Sequence, residues 1–105
     1  MIRKAFKMTL YSNKLSEYKK RHNPIWKELE VTLKIHGVHN YSIFFDEETH
    51  VLFGYAEIES KEKWEAIAHT EVCKKWWNFM SDIMEVNQDN SPVTVELKEV
   101  FYLDS

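Results

Sequence analysis

Residues 2–10 alternate. Ile2, Lys4, Phe6, Met8 and Leu10 fall on one side and Arg3, Ala5, Lys7 and Thr9 on the other, and a period of two predicts a strand. Ser12-Asn13 then offers a helix cap, and 14–22 reads as a helix with Leu15 and Tyr18 spaced for one face. Asn23-Pro24 interrupts it, because the residue before proline avoids the α region, while Pro24 itself suits a first helical turn. From there Ile25, Leu29 and Leu33 recur every four residues, with Trp26 beside them, until Gly37 supplies a C-terminal stop. Val38 to Asp46 and Val51 to Glu59 are rich in β-formers around a polar Asp46-Glu47-Glu48-Thr49 turn, so 38–59 predicts a hairpin. On its first strand His39, Tyr41, Ile43 and Phe45 share one side by parity, and Val38, Asn40, Ser42 and Phe44 the other. Ser60 caps a helix with Trp64, Ile67 and Ala68 on its apolar face. Thr70-Glu71 begins a second piece running to about Met84, with Val72, Trp76, Met80 and Ile83 on one stripe and Cys73, Trp77 and Met84 on the next. Residues 87–92 are loop by composition, and Val93 to Leu103 ends the chain as a strand.

The order strand, helix, strand, strand, helix, strand predicts an α+β fold of the ferredoxin-like split βαβ type, with an antiparallel sheet and both helical segments on one face. No internal repeat and no linker breaks the pattern, so residues 1–105 read as one domain. The strands carry apolar residues on both parities. Ile43 and Phe45 oppose Val38 and Phe44; Val51, Phe53 and Tyr55 oppose Leu52, Ala56 and Ile58. A sheet apolar on both faces needs two covers, and a second copy packed sheet to sheet as a symmetric homodimer supplies the second one.

Composition changes this picture in one respect. Four Trp, five Tyr, six Phe and five His in 105 residues are many rings for one small core. The net charge of −3 lacks the basic footprint of nucleic-acid binding. The clusters Lys19-Lys20-Arg21 and Lys74-Lys75 read as solvated helix faces. Cys73 is the only cysteine, which excludes an intrachain disulfide and a thiolate zinc cage. Without a signal peptide or an apolar run of about 18 residues, the expectation is a cytoplasmic protein with no membrane partner.

Five residues stand out as candidate chemistry. Tyr18 and His22 share a helix face directly before the break at Asn23-Pro24. They read either as a polar pair facing a cavity or as a helix-end His bound to a backbone carbonyl. Tyr41, mid-strand, can pack a face and still offer its hydroxyl. Adjacent Trp76 and Trp77 point roughly 100° apart, so one ring can pack while the other edges a pocket, where indoles suit the C–H face of a sugar. Both rings packing in core or interface is the alternative. Trp26 and Trp64 lie in plain helical stripes and read as core; Cys73 reads as a buried inert thiol. His36 and His39 straddle Gly37, and no carboxylate at helical spacing completes a metal triad with them. Phosphate loops and nucleophile elbows are missing.

Taken together, Tyr18-Lys-Lys-Arg-His22-Asn-Pro-Ile-Trp26, His36-Gly-Val-His-Asn-Tyr41, Cys73-Lys-Lys-Trp-Trp77, Asp89-Asn-Ser-Pro-Val93 and Glu99-Val-Phe-Tyr102 closely resemble the L-rhamnose mutarotase family, in order and over nearly the whole chain. The resemblance implies a dimeric α+β barrel, an isomerase that interconverts the α and β anomers of L-rhamnose, and no metal or organic cofactor. It implies that His22 is the proton donor and that Tyr18, Tyr41, Trp76 and Trp77 contact the monosaccharide. Two rival readings use the same fold: a non-catalytic sugar-binding module, and a dimeric-barrel oxygenase.

Overall fold

The computed structural model describes residues 1–105. Strands β1 (Ile2–Thr9), β2 (Val38–Asp46), β3 (Val51–Ile58) and β4 (Val95–Leu97) form one antiparallel sheet in the order β2-β3-β1-β4. Helices α1 (Leu15–His22) and α2 (Lys27–Ile35) connect β1 to β2, and α3 (Lys61–Ile67) and α4 (Glu71–Met80) connect β3 to β4. This is the expected ferredoxin-like α+β frame, with each helical segment broken in two. No helix is long and apolar enough to cross a membrane.

Alternation sets the sheet's inner face. Phe6 and Met8 of β1 and Leu52, Ala56 and Ile58 of β3 are buried, and they pack with Tyr18, Leu29, Ile67, Val72, Cys73 and Trp76 from the helices. All four helices therefore lie on that face. The caps at Ser60 and Thr70 form as sequence suggests, their hydroxyls accepting from the backbone N–H of Lys63 and Cys73. Gly37 ends the α2 segment at φ 76°, a left-handed conformation that favours glycine.

Five local expectations need correction. Ser12-Asn13 does not cap α1: Asn13 is left-handed (φ 63°) and Lys14 takes the cap position with no side-chain bond. Pro24 does not open α2, which starts at Lys27; Trp26 is still extended there (ψ 134°), its ring stacked on Phe79 and edge-on to Trp76. The last helix stops at Met80 rather than Met84. The Ser81 hydroxyl donates to the Asn78 carbonyl at 2.8 Å, and the Ile83 N–H donates to the Met80 carbonyl at 3.1 Å, so tight turns replace the helical ladder. The C-terminal strand covers only 95–97, not 93–103. Beyond it side chains hold the tail, with Glu99 accepting two bonds from the Arg3 guanidinium and Tyr102 under the same group at 3.4 Å. On β2 a register shift between His39 and Ser42, with Asn40 at φ 45°, breaks the parity. Val38 thus joins Ile43 and Phe45 on the inner face, opposite Ile58, Gly54 and Leu52.

Gly54 sits opposite Phe6 in the register, and the Phe6 ring lies across it. A Cβ at residue 54 would stand 2.5–2.6 Å from the ring's far edge. That ring also meets Tyr41 and Trp64 and cannot retreat freely. Gly54→Ala is therefore expected to cost about 1–3 kcal/mol, read as a lower urea midpoint at unchanged slope. An unchanged midpoint would contradict the close approach.

Candidate active site

Between the inner face of the sheet and the helices lies a cavity of about 1050 Å³, open on one side. Phe6, Met8, Ile43, Phe45 and Leu52 line it from the sheet, Leu29 and Leu33 from α2, and Trp64 from α3. A polar loop with Asn87, Asp89, Asn90 and Ser91 borders it. All five candidates from the sequence, Tyr18, His22, Tyr41, Trp76 and Trp77, line this one cavity.

The last turn of α1 carries Tyr18 and His22 four residues apart. Their rings stack at 4.2 Å and 24°, and Trp76 of α4 meets the imidazole edge-on at 5.1 Å and 87°. His22 Nδ1 is 2.9 Å from the Tyr18 carbonyl oxygen. A carbonyl only accepts, so Nδ1 carries the proton, and in the neutral ring Nε2 is the free acceptor. The two readings of this pair, helix-end carbonyl binder and cavity-facing ring, thus describe the same residue. Burial lowers the His22 pKa below the usual imidazole value, against the smaller opposing effect of the Tyr18 carbonyl.

Arg21 fixes that turn in place. Its Nε donates to Glu17 at 2.8 Å, and its Nη1 donates to Asp82 at 2.9 Å and to the Phe79 carbonyl at 2.6 Å. The guanidinium also lies over the Phe79 ring at 4.5 Å. Only 12 % of this side chain is exposed, so the Lys19-Lys20-Arg21 cluster is not one solvated face; its third member is spent inside.

Tyr41 meets Phe6 edge-on at 6.2 Å and Trp64 at 6.0 Å. It keeps 36 % of its surface accessible, yet burial raises its pKa well above the usual tyrosine value, which is consistent if that surface borders the cavity rather than bulk water. Burial raises the Tyr18 hydroxyl in the same direction. Neither hydroxyl has a hydrogen-bond partner in the protein, and both tyrosines line the cavity. Protonated at neutral pH, they are donors and not bases. Trp76 is buried against Trp26, His22 and Phe79; its neighbour Trp77 is half-buried, and both pack the core while walling the cavity.

The sequence missed two parts of this wall. Trp64 reads as plain core but lines the cavity beside Tyr41. The 87–92 segment reads only as a loop, and nothing in its composition says which side chain faces inward. Cys73 is buried, its thiol pushed up to about 11, as befits an inert residue. His36 and His39 do not converge: one bonds the Thr32 carbonyl and the other Glu59.

The model of the L-rhamnose mutarotase family matches residues 3–103. An L-rhamnose mutarotase of Lachnoclostridium phytofermentans is 59% identical over 99% of this chain and 100% of its own. The crystal structure of an L-rhamnose mutarotase from Formosa agariphila superposes with a TM-score of 0.91 at 48% identity, covering 99% of this chain and 100% of that one. A putative antibiotic biosynthesis monooxygenase from Nitrosomonas europaea shares the fold alone, with a TM-score of 0.64 at 13% identity over 96% of this chain and 100% of its own. The chain belongs to the L-rhamnose mutarotase family.

In a ¹H–¹⁵N titration, His22 is expected to lose its charge below the ordinary imidazole pKa of about 6.5, leaving the proton on Nδ1. A titration at or above that value, or a neutral ring protonated on Nε2, would contradict the site as described.

Proposed function

We propose that this protein is an L-rhamnose mutarotase, an isomerase in which His22 moves the proton that opens and closes the pyranose ring. The observation that carries the reading is the free Nε2 of a half-buried imidazole, held between Tyr18 and Trp76 on the wall of a cavity in a chain of this family. Trp76 and Trp77 offer flat apolar surface to the C–H face of a sugar, and Tyr18 and Tyr41 offer hydroxyl donors.

Anomer exchange requires a proton to leave the anomeric hydroxyl and one to reach the ring oxygen. Both oxygens are bonded to the same carbon, so one nitrogen can serve both. Nε2 of neutral His22 accepts the anomeric proton, the C1–O1 bond becomes a carbonyl, the bond from C1 to the ring oxygen breaks, and the imidazolium protonates that oxygen. Rotation about C1–C2 and the reverse sequence give the other anomer. In this scheme His22 remains the proton donor to the ring oxygen, and it also supplies the base. The tyrosines, too weakly acidic to ionise, orient the sugar and hydrogen-bond its oxygens as charge develops. No step calls for a cofactor. We place the activity in the cytoplasm, as an aldose enzyme whose single thiol is buried and unpaired, and in one domain of 105 residues.

The outer face of the sheet supports a homodimer. Phe44 and Phe53 pair across β2 and β3 at 67 % and 38 % exposure, and Val95 and Leu97 continue the apolar face over β4. A second copy covers such a face most economically.

His22→Ala should slow NMR-monitored anomer exchange of L-rhamnose by about 10²–10⁴-fold, while the wild-type kcat/KM rises with pH through the lowered His22 pKa and is flat above about pH 7. Full exchange in the variant removes the role of His22. A wild type that binds rhamnose without speeding exchange makes the protein a sugar-binding module instead. Sedimentation should show a dimer at micromolar concentration that Phe44→Glu with Phe53→Glu dissociates; a wild-type monomer would remove the dimer.

A further inference from the structure

Four residues that line the cavity carry or can carry charge: Lys19, His22, Glu47 and Asp89. Lys19 and Glu47 are exposed, and neither side chain is held by a hydrogen bond. Asp89 differs. Its Oδ1 accepts from the backbone N–H of Ser91 at 2.9 Å and from the Ser91 hydroxyl at 2.5 Å, while Oδ2 accepts nothing from the protein. The turn that presents it is itself closed. The Asn87 N–H donates to the Ser91 carbonyl at 2.8 Å, and the Asn90 N–H donates to the Asn87 carbonyl at 2.9 Å. Asn90 Nδ2 donates at 3.3 Å to Asn78 Oδ1 on α4, the helix of Trp76 and Trp77. Asp89 is thus a carboxylate with one oxygen anchored and one free, on a loop tied to the aromatic wall.

The hydrogen bonds from Ser91 hold the Asp89 carboxyl below its usual range, so it is charged at neutral pH and a poor base. What such a group does well is accept hydrogen bonds. Aromatic faces hold a pyranose by its C–H surface but leave it free to turn about the ring normal. An ionised oxygen at the edge of those faces removes that freedom, because charge-assisted bonds to hydroxyls are short and strong. Resting on the mutarotase reading, we propose that Asp89 is a sugar-binding residue: its free Oδ2 accepts from the ring hydroxyls that the reaction leaves untouched and so decides which end of the sugar meets His22.

Asp89→Asn is the matched test. The asparagine carbonyl still accepts from Ser91, so the turn survives, but an NH₂ replaces the free acceptor. Tryptophan fluorescence titration and NMR exchange then read binding and turnover. The Kd and KM for L-rhamnose are expected to rise about 10- to 100-fold, with a smaller fall in kcat from sugar bound the wrong way round and the unfolding midpoint nearly unchanged. Among the 2-, 3- and 4-deoxy analogues, at least one should show a much smaller penalty, because it lacks the hydroxyl that Asp89 holds. Unchanged affinity, a penalty equal for every analogue, or a loss confined to kcat would overturn the inference. If wild type binds rhamnose but does not speed exchange, the mutarotase reading falls, and the Kd ratio alone decides the role of Asp89. A wild type that neither binds nor exchanges rhamnose overturns both.

Discussion

The arrangement depends on one half-buried cation. Arg21 spends its fork on Glu17, Asp82 and the Phe79 carbonyl and lays its plane on the Phe79 ring. Through it the last turn of α1 is tied to the end of α4. Those two pieces carry Tyr18 and His22 on one side and Trp76 and Trp77 on the other. A lysine could not reproduce this, since it has no planar fork to reach several acceptors in fixed directions. The same contact explains two departures from simple helix periodicity. Asp82 is drawn toward Arg21, in step with the tight turns that end α4 at Met80, and Phe79 is held where Trp26 can stack on it at 5.2 Å. The stacking in turn keeps Trp26 extended, so α2 begins only at Lys27.

The sheet answers to opposite demands on its two faces. Inside, Gly54 and Ala56 are small and let the Phe6 ring lie close to the strands, with Tyr41 and Trp64 around it. Part of the ground under the helices is therefore aromatic, and a cavity lies between them and the sheet. Outside, Phe44, Phe53, Val95 and Leu97 are ordinary strand residues that stay partly exposed.

Much of this was legible from spacing. Alternation placed the strands, and the order of elements placed the helices on one face. The helix repeat joined Tyr18 to His22, and the improbable Trp76-Trp77 pair marked the wall. What was not legible follows from interactions between distant parts of the chain. The bulge after His39 moves Val38 to the inner face, and parity counted along β2 alone cannot foresee it. Arg21 looks like the third residue of a basic run until Phe79 and Asp82, about sixty residues on, are brought to it. Trp64 reads as core because core and cavity wall have the same helical address. Asp89 is one acid among polar neighbours, and only the bonds from Ser91 show which of its oxygens is free.

Burial then sorts the ionisable groups into roles. It lowers His22 and raises Tyr18 and Tyr41, and in both cases it disfavours charge. At neutral pH the rings in the cavity are uncharged: one basic nitrogen and two hydroxyl donors. A neutral sugar enters such a place without bringing or demanding a counter-charge. In the proposed scheme ring opening and closure leave it neutral as well, so charge separates only while the proton rides on Nε2. A depressed imidazole pKa limits how stable that separated state becomes, and by the same measure makes the imidazolium a stronger acid toward the ring oxygen. The compromise suits a reaction that must run equally well in both directions, because the forward acceptor is the reverse donor and neither role can be improved at the expense of the other.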